Sequence, residues 1–492
     1  MRLPAIGGAY AGRTPYTNTQ QLINWYVEGD SHDPKGERVA MPTPGLTLKT
    51  TVGPGPIRGI HNWNGLMFII SGASVYYVDP GTYAVTQITG TLNTSTGPVQ
   101  MVDNTFGVGN QIFVGDGTYG YVITWTGAAY TFAQINFSGI STTPVGTITY
   151  QDGYGIFSQP GTQKFWITNS YNFTTYNPLY FASKEGNPDL LVSCISDSTK
   201  LFLLGTTSME IWFDSGSALF PFQRIPGLLF PIGCAAAQTP ARIDNSIVWL
   251  GTKMGAQLYG FGQVFQCRGD SAPTTISNPQ MDWQINQYGT ITDAQAFVYY
   301  KEGHEFYVLT FPTAGVTWVW DATNGEWHQR STNATRWLPS SITFNPVYST
   351  FVVGDPVNSN IYVLDDGVIT DNGVAIARTL ITPHLNQGNE WLQLSKVDVQ
   401  GNFGDIANGS TITISWSQDN GHTFPFSYTF TSINGNYLAR CFTRKLGKAL
   451  DWVFKITTTS NPILIDVNVD VRNRATGRAP GPQSQMFPYM QQ

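Results

Sequence analysis

The chain has 492 residues, of which 41% are apolar and only 12% charged, about half the roughly 25% usual for soluble domains. A net charge of −6 argues against a strongly basic nucleic-acid binder. No run of about 18 apolar residues is present to cross a membrane as a helix.

In chain order, residues 1–55 are rich in Pro and Gly and read as an extended N-terminal arm. The opening MRLPAIGGAYAGRT lacks a basic region followed by an apolar one, so it does not read as a signal peptide, and the product is expected to be cytosolic as made. NTQQLINWYVEGD (Asn18 to Asp30) has room for one short strand, and VAMPTPGLTL (Val39 to Leu48) is held extended by Pro42 and Pro44. Such an arm is too irregular to fold alone, so it is expected to lie on the main domain or to reach a neighbour.

Residues 56–382 carry a repeat. Seven apolar strands each run into Ser71, Gly115, Ser158, Gly205, Gly251, Thr310 or Gly354, at spacings of 44, 43, 47, 46, 59 and 44. An aromatic follows each (Tyr76, Tyr121, Trp166, Trp212, Tyr259, Trp318, Tyr362). Turn residues such as Asp79, Asp214, Asp321 and Asp365 then close several of the strands. A recurring unit of strands and turns without helix predicts the blades of a β-propeller, six or seven in number. The dense apolar runs are expected to be the inner strands, buried on both faces. The wide gap holds a polar insertion around 266–290, expected to project from the ring.

Residues 383–472 alternate more cleanly and predict a β-sandwich, and 473–492 read as an extended tail. The predicted chain is thus all-β: a propeller with an extended N-terminal arm and a C-terminal β-sandwich-like domain.

Motifs for chemistry are sparse. SQDNGHTF (Ser417, Asp419, Gly421, Thr423, Phe424) fits the Asp-box pattern of sialidase-like propellers, whose role is to pin a hairpin. It occurs once, outside the repeat, and the arginines of 56–382 are scattered, so a sialidase-like glycosidase or a secreted glycan-binding propeller is the weaker alternative. Four cysteines (Cys194, Cys234, Cys267, Cys441) lack metal spacing and read as buried thiols, and six isolated histidines support no zinc site. The tripeptide Arg268–Asp270 (RGD) carries no weight at that length. No phosphate-binding loop or nucleophile elbow is present, and neither catalytic residues nor cofactors are expected. One concentration of positive charge stands out: Arg440, Arg444, Lys445 and Lys448, with Lys455 beyond. It suits an acidic neighbouring subunit or a phosphate backbone, or simply a solvated loop.

Two stretches flanking the repeat resemble the packaged-DNA-stabilisation proteins, or tail hubs, of short-tailed bacteriophages. The first is the arm INWYVEGD…MPTPGLTL, carried by Asn24, Tyr26, Glu28, Pro44, Gly45 and Leu46. The second is CFTRKLGKALDWVFKI, carried by Arg444, Leu446, Gly447, Ala449 and Trp452. The resemblance implies a virion tail protein made in the host cytoplasm. It implies a ring, of six copies, below the portal and adaptor. Such a ring retains packaged DNA, lets it pass without sequence specificity, and anchors fibres or spikes. On this basis Arg440, Arg444, Lys445, Lys448 and Trp452 are expected at a subunit or adaptor contact, and Asn24, Tyr26, Glu28, Pro44, Gly45 and Leu46 at a contact made by the arm.

Overall fold

A computed structural model describes residues 1–29, 38–137, 144–253, 262–388 and 390–472. The predicted tail 473–492, Tyr259 of the repeat and His32 lie outside these. Strands dominate, and the one helix among the described residues is Pro279–Ile285.

The repeat folds into a closed seven-bladed propeller. The innermost strands, in order, are Ile57–Trp63, Gln100–Asp103, Ile148–Gln151, Leu191–Asp197, Ala241–Ile243, Gln295–Lys301 and Ser341–Asn345. Seven hydrophobic clusters fill the seven interfaces between adjacent blades, the last joining Val352 and Ile361 of blade seven to Met67 and Tyr76 of blade one. That last cluster is what closes the ring.

The apolar strands are second in each blade, not innermost as expected. Leu66–Ser71, Lys200–Gly205 and Thr350–Gly354 are examples, each paired to a more polar strand on the axial side. Flanking blades bury both faces of a second strand, which is why it reads as a continuous apolar run. The innermost strand turns one face to the axial channel. The glycines that punctuate the repeat lie where side chains pack closely against the backbone, as Ile148 does at Gly115. A Cβ on Gly354 would sit 2.3 Å from Ile57 Cγ2.

Blade seven is completed by the arm. Gly45–Thr51 pairs antiparallel with Asn360–Asp365, with Leu46 opposite Leu364. The chain therefore starts and ends its ring in one sheet. The rest of the arm builds the sandwich. Trp25–Gly29 and Arg38–Pro42 extend one of its sheets, beside Leu464–Val471, Leu392–Gly401 and Cys441–Ala449. Arg2–Leu3 also pairs with Leu464–Val471. In the other sheet, Gln21–Ile23 lies beside Arg378–Ile381, followed by Asp451–Thr458, Thr411–Ser417 and Phe426–Thr431. Gln21–Ile23 also touches the outer strand of blade six, Ile23 opposite Gln329 in parallel. One sheet thus runs unbroken from the propeller into the sandwich. Leu3, Leu22, Trp25, Val27 and Ala40 all belong to the sandwich core.

The 266–290 segment does not project as expected. Cys267 finishes the third strand of blade five, and the helix Pro279–Ile285 is capped by Asn278, whose Oδ1 accepts from Met281 N at 2.8 Å. Met281 and Ile285 are fully buried against blades five and six. Asn278 and Gln284 donate to the carbonyls of Ala9 and Ala11, so the segment seats the arm.

Candidate interaction surfaces and the junction that positions them

The arm motif is a junction inside the chain. Asn24 is buried with a left-handed backbone (φ 60°). Its Nδ2 donates to Ser331 O at 3.0 Å and to Ala377 O at 2.8 Å, while its Oδ1 accepts from Ser331 N at 2.9 Å. Ser331 belongs to blade six, and Ala377 immediately precedes the sandwich strand Arg378–Ile381. Tyr26 packs edge-on against His304 and Phe306. Burial pushes its hydroxyl far above the usual range. A Cβ on Gly45 would lie 2.4 Å from Val368 O and 2.6 Å from Thr370 O, so only glycine fits there. Of the six arm residues expected at a contact, only Glu28 is exposed. The others are engaged with their own chain, because the strands they start are needed to finish two domains.

Two arginines that sequence reading left among the scattered ones complete this junction. Arg330 is fully buried, stacks over Trp337 at 3.5 Å and donates to Pro44 O at 2.6 Å. Arg378 donates to Ser460 O and Thr43 O, both at 3.0 Å. Burial and the neighbouring Arg330 lower Arg378 to about 10, while Asp371, buried between them and hydrogen-bonded by Thr332, is raised by desolvation. Attraction to Asp371 offsets part of the cost of burying the two cations. The available signal was a pair of arginines in strands with no acidic neighbour in sequence.

The basic cluster lies on the edge strand Cys441–Ala449. Arg440, Arg444 and Lys396 surround the Phe442 ring at 5.8, 5.3 and 5.6 Å. Asp398, itself buried, takes Lys396 at 2.8 Å and also pairs with Arg440. Arg444, Lys445 and Lys448 are exposed and form no ion pair among the described residues. Trp452 departs from the expectation: it is fully buried in the sandwich and donates to Leu392 O at 3.2 Å, so it supports the face from within and cannot contact a partner.

The Asp-box closes the hairpin between Thr411–Ser417 and Phe426–Thr431. Asp419 Oδ1 accepts from Ser417 Oγ at 2.6 Å and Thr423 N at 2.9 Å, and Oδ2 from Thr423 Oγ1 at 2.6 Å. These bonds lower its carboxyl to about 2. Gly421 sits against Thr19 and His422 edge-on to Tyr16, so the turn also clasps the arm. Phe424 is half-buried under Lys455. Arg268 and Asp270 pair with Asp244 and Lys200 of the same molecule.

The axial channel is a cavity of about 610 Å³ lined by all seven innermost strands. Its cations are engaged. Arg58 donates to the carbonyls of Gly72, Thr94, Thr96 and Gly97, Arg242 to Ser196 and Thr149, and His61 pairs with Asp103 at 2.8 Å.

Two family models match the chain. One, described as Bacteriophage P22 Gp10, beta-propeller, covers residues 1–369, and the other, Bacteriophage P22 Gp10, beta-sandwich, covers 377–470. No curated protein matches. Among solved structures, the N-terminal domain of Nup159 is similar at 9% identity and a TM-score of 0.43, over 70% of this chain and 99% of that one. The Neurospora crassa Pan2 WD40 domain is similar at 11% identity and a TM-score of 0.41, over 66% and 95%.

Proposed function

The chain belongs to the bacteriophage P22 Gp10 family of phage structural proteins, and from that premise we propose that it forms the hub of a short phage tail. In this reading six copies close into a ring below the portal and adaptor. The ring helps retain packaged DNA, passes it at ejection and anchors fibres or spikes, within virions assembled in the host cytoplasm. The observation that carries the reading is the match of both family models, propeller and sandwich, in the order in which the two domains occur here.

Physical features support it. A duplex whose major groove alone is about 12 Å wide cannot thread a channel of this size, so the DNA path lies between copies. The net charge of −6 suits a lumen that must let phosphates slide. Because the arm is used up inside the chain, contacts between copies fall to the sandwich, where Phe426–Thr431 and Cys441–Ala449 are free sheet edges and Arg444, Lys445 and Lys448 are unpaired among the described residues. A head-to-tail cyclic interface built from such edges closes a ring. Its role is mechanical rather than catalytic.

Negative-stain images of the purified protein, and of virions tagged on it, test the proposal. A six-fold ring at the tail is expected. A monodisperse monomer that persists with adaptor present, or specific glycan binding by that monomer, would overturn it in favour of the glycan-binding alternative.

A further inference from the structure

A groove of about 710 Å³ lies between blades six and seven. Its floor is aromatic, with Tyr300 51% and Phe344 44% exposed. Its wall is acidic: Glu302, Glu305 and Asp366 line it, and Lys301 is paired with Asp366. A smaller adjoining cleft shares Glu302 and Asp366, and Tyr26 and Met41 of the sandwich line its other side. Glu28 follows Tyr26 by two residues, on the same face of Trp25–Gly29, and adds an exposed carboxylate to this rim. Glu28 and Glu302 are in no ion pair among the described residues. The two clefts form one acidic trough with an aromatic floor.

The opposite chemistry lies at the other edge of the same sheet. Cys441–Ala449 carries Arg444, Lys445 and Lys448, all exposed. At its far end Trp391 and Leu450 flank the register pair Leu392–Ala449 and are 66% and 39% exposed. Positive charge beside an exposed tryptophan thus matches negative charge beside exposed aromatics. An interface of this kind takes most of its energy from a central aromatic anchor and its specificity from the charges around it. Lys445 has a left-handed backbone (φ 62°) at a bulge, where the register with Leu392–Gly401 shifts. A bulge on an edge strand blocks the addition of another strand and re-aims side chains, so this edge meets a partner through its side chains.

The two surfaces do not meet within one copy. Three strand spacings, about 14 Å, separate Arg38–Pro42 from Cys441–Ala449. Ala40, Leu464 and Gly401 lie in register across the sheet, and Arg444 lies opposite Lys396, about 17 Å farther along the strand. Complementary surfaces at opposite edges of one sheet are what a head-to-tail contact between identical copies requires. We propose that the basic edge of one copy docks in the acidic trough of the next, with Trp391 on Tyr300 and Phe344, and with Arg444, Lys445 and Lys448 against Glu28 and Glu302. The contact rests on the ring reading above and assigns the interface that closes it.

Two variants of the full-length protein test it: Arg444→Glu with Lys445→Glu, and Glu28→Lys with Glu302→Lys. Each alone is expected to associate at least about tenfold more weakly than the parent at low salt, measured by sedimentation. Mixed in equal amounts they are expected to regain the parental association. Every interface then pairs opposite charges again, and a ring of even number closes by alternating the two variants. If a charge variant lowers the unfolding temperature, Trp391→Ala takes its place. That side chain is exposed, so its loss should spare the fold while weakening association by about tenfold or more. A mixture no tighter than either variant alone, or six-fold rings that the variants form as readily as the parent, would overturn this contact and leave the ring reading standing. A parent protein that stays monomeric with adaptor present would overturn the ring reading and this contact with it.

Discussion

Asn24 joins three parts of the chain through one side chain. Its amide holds blade six and the segment leading into the sandwich, and its left-handed backbone turns the arm between Gln21–Ile23 and Trp25–Gly29. Asn24→Ala removes three hydrogen bonds worth about 1 kcal/mol each and strains the backbone, so a loss of about 3 kcal/mol is expected, read as a lower denaturant midpoint at constant slope. His328 reports on the same junction. It is fully buried with Nε2 unpartnered, and burial pushes its pKa down to about 3. The folded state therefore binds fewer protons than the unfolded chain between about pH 6.5 and 3, and stability falls as pH falls through that window. From pH 7 to pH 5 the expected loss is about 2 kcal/mol from this group. The nearby His304 is shifted the opposite way by its hydrogen bond to Asp321. Its contribution is present below its unfolded pKa and is lost as pH rises through the raised one. His328→Phe should remove the acid-side loss while leaving the opposite His304 dependence, a loss as pH rises, in place, as measured by melting temperature across pH.

At the scale of elements, the closing strand Gly45–Thr51 decides whether the ring is shut. Without it, Asn360–Asp365 becomes an open edge and Leu46 leaves the cluster between blades six and seven. Gly45→Val forces a side chain into the carbonyls of Val368 and Thr370. The expected result is a cost of about 3 kcal/mol or more, with amide exchange rising in blade seven before the other blades. Leu46→Ala, which only leaves a cavity, should cost about 2–5 kcal/mol without that local opening. The blades were legible in the sequence because their second and third strands are buried on both faces and so keep an unbroken apolar pattern. The closing strand was not. Its partner lies at the far end of the repeat, and a pairing so distant in sequence leaves no local trace in GLTLKTT beyond an extended geometry. The helix Pro279–Ile285 was hidden for a related reason: at seven residues, with only Met281 and Ile285 buried, its apolar period is too short to stand out.

For the whole molecule, the continuous sheet through Gln21–Ile23 makes propeller and sandwich one body. Contacts with other molecules are therefore expected to move with it as a unit. The basic edge offers a direct test. Arg444→Glu with Lys445→Glu should leave the unfolding free energy within about 0.5 kcal/mol of the parent, since both are exposed and in no ion pair among the described residues. It should weaken self-association by at least about tenfold at low salt, measured by sedimentation, with the difference shrinking as salt rises. Unchanged association would remove this edge from the interface. The sequence located the cluster, because charge density needs no tertiary information. It misplaced Trp452 on that face, because a tryptophan beside charged residues reads the same whether its strand turns it outward or inward.

By itself the sequence determined the class of architecture: strand periodicity, turn residues and repeat spacing are local properties that burial writes into every blade. It also carried the family, through the Asn24–Leu46 and Cys441–Ile456 stretches. Only the tertiary structure decided the blade count, the closure by Gly45–Thr51 and the threading of the arm through both domains. Those depend on which distant strands meet. Whether Asn24 is a surface contact or an internal joint follows from that meeting, since the same amide that would serve a neighbour is here enclosed by Ser331 and Ala377.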